Sequence, residues 1–112
     1  MRDNEMSLDI HLASSKTKAE HLYPELSFDE EIHGFLFGDR NKWIEKYLLF
    51  AKMNDYYSDT FYIVEDIAEL KHEVNEIVLK VKDQQSIKFL DKFIKLCDQA
   101  LDKNENIYCF CD

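Results

Sequence analysis

Residues 87 to 101 read IKFLDKFIKLCDQAL, and this stretch decides the fold. Ile87, Leu90, Ile94, Cys97 and Leu101 recur at steps of three and four, and Phe89, Phe93, Leu96 and Ala100 form a second stripe beside them. At about 100° per residue the two stripes cover roughly half of a helix circumference. Lys88, Asp91, Lys92, Lys95, Asp98, Gln99 and Asp102 fill much of the other half. A helix with so wide an apolar face packs against two partners, another helix and a small sheet. Ile94 lies mid-stretch, so a charge there is expected to prevent folding.

On the N-terminal side, Ile63, Ile67, Leu70, Val74, Ile77 and Val81 step by four and three. They describe a helix of about five turns with a seam suited to a helical partner. Continuing the seam needs apolar residues where Gln84 and Lys88 stand, and the pattern resumes out of phase at Ile87. Asp83 to Ser86 therefore read as the turn of a helical hairpin. A continuous helix with an inserted stammer is the other reading.

The chain ends read as strands. Ser7 to Leu12 alternates Leu8, Ile10 and Leu12 with Ser7, Asp9 and His11, the period of a half-buried strand. After a turn marked by Asn104 and Asn106, Ile107 to Cys111 alternates with both faces apolar, as a buried strand does. Pairing the two gives the sheet. Ala13 to Pro24 is polar, a loop or an irregular helical turn that is long for a compact domain. Ser27 and Glu30 make a capping-box pattern before Phe28, Ile32, Phe35 and Leu36. Gly38 and Asp39 end that helix, and Asn41 caps a next one with Trp43, Ile44, Tyr47, Leu48 and Ala51 on its stripe. The expected fold is α+β, with about four helices including a central helical hairpin. These pack on a small sheet formed by the N- and C-terminal strands, residues 1–112 making one domain.

A chain of 112 residues with 46% hydrophobic and 13% aromatic residues is globular. No apolar run approaches the roughly 20 residues of a membrane span. The opening Met-Arg-Asp-Asn-Glu-Met is too charged and acidic for a signal peptide, so a cytoplasmic location is expected. Met6, just before the first strand, is a candidate alternative start. Three cysteines suit a reducing compartment. The net charge of −9, from 23 acids and 14 bases, repels nucleic acid and anionic membrane and favours either a basic protein partner or simply solubility.

Cys109 and Cys111 point to one face of their strand, but a zinc site needs two further ligands. His11, His21, His33 and His72 are scattered, with no i, i+4 pair. His33 near Glu30 and Glu31 has the makings of an acid–base pair, yet no phosphate loop, nucleophile elbow or HExxH accompanies it. No metal, cofactor or catalytic residue is expected. The stretch Asn54 to Tyr62, NDYYSDTFY, breaks helical periodicity and gathers four rings with Asp55 and Asp59. Tyrosines flanked by acids make a surface suited to Lys and Arg. The bland alternative is a core corner with its acids merely solvated.

Three pieces of the chain resemble bacterial toxin-immunity proteins of contact-dependent growth inhibition and related polymorphic toxin systems. They are Ser7 to Leu12, the segment GFLFGDR from Gly34 to Arg40, and NDYYSDT from Asn54 to Thr60. The paired Tyr56 and Tyr57 with Asp55 and Asp59 is also similar to the toxin-binding segment of DNase-colicin immunity proteins. Ser58 stands where those carry Pro, and the expected fold is not their four-helix bundle. The resemblance implies a non-enzymatic protein that occludes the active site of a cognate cationic toxin, a nuclease above all. Asp55, Tyr56, Tyr57, Asp59 and Tyr62 are then the partner-binding residues. Two rival readings are a helical dimerisation or adaptor module, on the seam from Ile63 to Val81, and an acidic mimic of nucleic acid. A homodimer is compatible with any of them.

Overall fold

The computed structural model describes residues 7–38 and 42–111, without the side chain of Trp43. Met6, Asp39, Asn41 and the Trp43 side chain, invoked above as a start site, a helix end, a cap and a stripe residue, lie outside the described residues.

The strands are β1 (Ser7–Ala13), β2 (Leu26–Asp29), β3 (Thr60–Tyr62) and β4 (Asn106–Cys111). They form one antiparallel sheet in the order β2-β1-β4-β3. The chain ends pair at its centre, Ile10 opposite Cys109 and Leu12 opposite Ile107. The α-helices among the described residues are α1 (Lys16–Glu20), α2 (Glu30–Phe37), α3 (Val64–Lys80) and α4 (Gln84–Lys103). The α+β architecture expected from the sequence is therefore present, with α3 and α4 as the helical hairpin.

The hairpin turn is shorter than expected. Asp83 already caps α4, accepting from the Ser86 backbone N–H and Oγ at 2.9 Å each. The seam of α3 is consumed inside the chain: Ile67, Leu70, Val74 and Ile77 are fully buried. The buried arc of α4 runs through Phe89, Leu90, Phe93, Leu96, Cys97 and Ala100. Ile87 and Ile94 lie at its half-buried margin and Leu101 is 38% exposed. The centre of the core face is thus Phe93, not Ile94. Asn104 closes α4 in the left-handed region (φ 56°), and its N–H reaches the Ala100 and Leu101 carbonyls.

The inner sheet face, with Leu8, Ile10, Phe28, Tyr62, Ile107 and Cys109, packs on the helices. The outer face carries a row of rings. Phe61 stacks on Tyr108 at 6.0 Å, Tyr108 on Phe110 at 6.2 Å, and His11 tilts against Phe110 at 5.1 Å. Helix α1 covers part of this row through Ala19, which packs with Ala13 and Tyr108. This two-sided cover explains why β4 is apolar on both faces.

Two expectations need correction. Ser27 does not cap a helix: it lies in β2, its Oγ donating to Asp9 at 3.1 Å, and Asp29 caps α2 through the Ile32 N–H at 2.9 Å. Residues 42–53 are not a helix continuous with a stripe. They make two 3-10 turns, Lys42–Lys46 and Phe50–Met53. Gly38 ends α2 in extended conformation, so its need for glycine is one of space: a Cβ there would lie 2.7 Å from the Gly34 carbonyl oxygen.

Candidate functional site

Residues 47–62 owe their shape to side-chain bonds to their backbone, most of them from distant elements. Glu73, buried on α3, accepts the Phe50 N–H at 2.9 Å and the Leu49 N–H at 3.3 Å. Those are orphan donors at the start of the second 3-10 turn, so a distant carboxylate does the work of a cap. Tyr62 Oη donates to the Leu49 carbonyl at 2.7 Å. His33 Nε2 lies 2.8 Å from the Met53 carbonyl, an acceptor only, so this nitrogen carries the proton. With its backbone groups satisfied this way, the segment has no need of a helical ladder. It drops Phe50 and Met53 into the core, both fully buried.

The loop Asp55 to Asp59 follows. Asp55 accepts the Tyr57 N–H at 3.0 Å and the Ser58 hydroxyl at 2.8 Å. These two bonds, Ser58 first, hold its carboxyl below the usual carboxylate range. Asp59 accepts the Cys111 N–H at 2.7 Å and so ties the end of the loop to β4. Both carboxylates are exposed but structurally engaged.

The five residues expected to bind a partner separate into three groups. Tyr57 stands out from the surface, 63% exposed. Tyr56 is buried beneath it at 6% exposure, edge-on to Tyr57 at 5.6 Å and against the His33 ring at 4.7 Å. Tyr62 is a fully buried core residue, contrary to its expected place on the surface. Lys52 lies over its ring at 4.7 Å and donates to the Phe61 carbonyl at 2.7 Å. Asp55 and Asp59 shape the loop. Its binding face therefore reduces to Tyr57 on a Tyr56 base, with the two acids as rim.

The structure adds acids that no spacing in the sequence revealed. Burial, then Asp29, Glu30 and Asp9, push the Tyr56 hydroxyl well above its ordinary range. Those three carboxylates come from β1, β2 and the first turn of α2, and they lie near enough to act on the Tyr56 hydroxyl. The sequence did carry a clue to Glu73: it is an acid set among Leu70, Val74 and Ile77 on the buried side of α3.

The remaining candidates read as structural. Cys109 is fully buried with its thiol against Met53 sulfur at 3.9 Å, and burial raises its pKa. Burial likewise pushes the Cys97 thiol up to about 12. Neither is poised as a thiolate nucleophile or ligand. Burial lowers the pKa of His33 despite its backbone bonds and Asp55 nearby. Among the described residues no group of three or more His, Cys, Asp or Glu is arranged to hold a metal. None of their helices is long and apolar enough to cross a membrane. Comparison of the chain with protein-family models, curated proteins and solved structures finds no match in any of the three.

Proposed function

We propose that this chain is an immunity protein that binds a cognate basic toxin domain, a nuclease above all, and neutralises it by covering its active site. The observation that carries the reading is Tyr57, an exposed ring on a stiffened turn, backed by a buried Tyr56 and rimmed by carboxylates. A rigid aromatic loses little entropy on binding and makes a good anchor. The acids around it favour encounter with a cationic cleft. Occlusion needs no catalytic group in the inhibitor. The rival adaptor reading rested on the α3 seam, and α4 already fills that seam.

The test is binding kinetics on a cognate toxin domain, at two salt concentrations. Tyr57→Ala should cost on the order of 2 kcal/mol, mainly through faster dissociation. Glu30→Gln removes a rim charge without touching the loop bonds. It should slow association at low salt, with the difference fading as salt rises. Asp55 and Asp59 are poorer probes of charge, since replacing either loosens the loop. Unchanged affinity in a folded Tyr57→Ala variant would place the interface elsewhere.

A further inference from the structure

The two edges of the sheet differ. Strand β3 is short, and its edge is occupied where Lys52 donates to the Phe61 carbonyl at 2.7 Å. That is a common protection of an edge strand. The outer edge of β2 pairs with no described strand. A cavity of about 380 Å³ lies along it, lined by Leu26, Asp29, Ile32, Phe89, Lys88 and Lys92 among others. A second, of about 170 Å³, continues it past Leu26 and Lys92 to Glu25, Lys95 and Leu96. Because they share two lining residues, the two cavities make one groove between β2 and α4.

One wall of the groove is basic in a chain of net charge −9. Lys88, Lys92 and Lys95 are exposed, and none is ion-paired among the described residues. We propose that this groove takes an extended acidic segment of a partner protein, which adds to β2 as a further strand and presents alternate acidic side chains to the lysine row.

The spacing fits. Four and three helical residues advance about 6 Å and about 4.5 Å along α4. Alternate side chains on a strand recur about every 6.7 Å. The sign also fits one face only. Phe28 stacks on Phe89 at 4.3 Å, so α4 lies on the inner side of the sheet. The exposed Ser27 and Asp29 mark the outer side, where Asp9 adds charge. An added strand therefore meets lysines with one set of residues and carboxylates with the other. Its acids must alternate with uncharged residues. Main-chain bonds would supply affinity and the lysine row the selection. Asp9 and Asp29 border both this groove and the tyrosine pair, but the lysine row belongs to this groove alone, so the lysine variants test the inference apart from the toxin reading.

The probe is a blocked, fluorescent heptapeptide of alternating Glu and Val, titrated into the full chain and followed by anisotropy. Saturable binding below about 1 mM is expected, weakening as salt rises. Its Gln/Val counterpart should bind at least about tenfold more weakly. The triple variant Lys88→Gln/Lys92→Gln/Lys95→Gln, melting at the wild-type temperature, should bind at least about tenfold more weakly. Two further peptides need no change in the protein: N-methylation at the Glu positions or at the Val positions. One of the two should lose binding, because alternate N–H groups of a strand face opposite edges. Four results would overturn the proposal. They are no binding, equal binding of the Gln/Val peptide, indifference to both methylated sets, or an equally tight, lysine-dependent grip on a single-stranded oligonucleotide. Self-association of the chain that disappears in the triple variant would also overturn it, by giving the edge to a second copy.

Discussion

The α3–α4 hairpin and the segment from 47 to 62 sit side by side in one core but are held by different means. The hairpin is made by periodic apolar burial: Ile67, Leu70, Val74 and Ile77 on one helix meet an arc centred on Phe93 on the other. Any apolar residue of similar volume would keep such a pairing together. The segment is made by single polar bonds from Glu73, Tyr62, His33 and Lys52 to its backbone or to the strand that ends it. No substitution with different donors reproduces those. The difference teaches where the shape of the proposed binding loop comes from: it is borrowed from two side chains far along the chain, Glu73 and His33, and completed by Lys52 and Tyr62 of the segment itself.

The comparison can be broken at several depths. Phe93→Asp places an unpaired charge at a fully buried position and should cost more than about 4 kcal/mol, which abolishes the cooperative melt seen by circular dichroism. Ile94→Asp, at the margin, should cost less and leave a cooperative transition. Glu73→Gln keeps the volume but weakens two bonds to backbone N–H groups, at a cost of about 2 kcal/mol in chemical denaturation. Tyr62→Phe leaves the Leu49 carbonyl without its partner hydroxyl and should cost about 1 kcal/mol.

The smallest effect concerns His11. Its ring is buried against Phe110 and its Nδ1 finds no partner. Burial lowers its pKa from 6.5, against the pull of Asp9 and Glu25. A lowered folded-state pKa means that the unfolded chain takes up the proton first. The stability is whole above pH 6.5 and declines as pH falls toward the folded value. His33 contributes in the same direction. His11→Phe should therefore be neutral or slightly stabilising at neutral pH, and should flatten part of the fall in melting temperature on acidification. An unchanged slope would remove His11 from the account.

What could be read in the sequence follows the same division. The hairpin and the pairing of the chain ends are carried by period, and period is local. The Leu8-Ile10-Leu12 alternation and the α3 seam each need only their own neighbours to be recognised. The larger failures involve distance. Ser27 and Glu30 look like a cap and its box until β1 recruits Ser27 into the sheet. Residues 42–53 have a helical stripe, but Glu73 and Tyr62 satisfy the backbone groups around Leu49 and Phe50 in another geometry. Tyr62 reads as one more ring in an aromatic loop, whereas strand pairing with Ile107 turns it inward. The tyrosine pair was legible as unusual. Its acidic surroundings were not, because Asp9, Asp29 and Glu30 arrive from other elements.

Native-state hydrogen exchange on wild type and Glu73→Gln tests most directly whether the loop-bearing segment is held by that borrowed clamp. The expected result is a selective loss of protection at the backbone amides of residues 49–62, with Phe50 foremost, while the amides of α4 around Phe93 exchange as in wild type once the global stability change is subtracted. A uniform loss across both regions, or unchanged protection from 49 to 62, would contradict it.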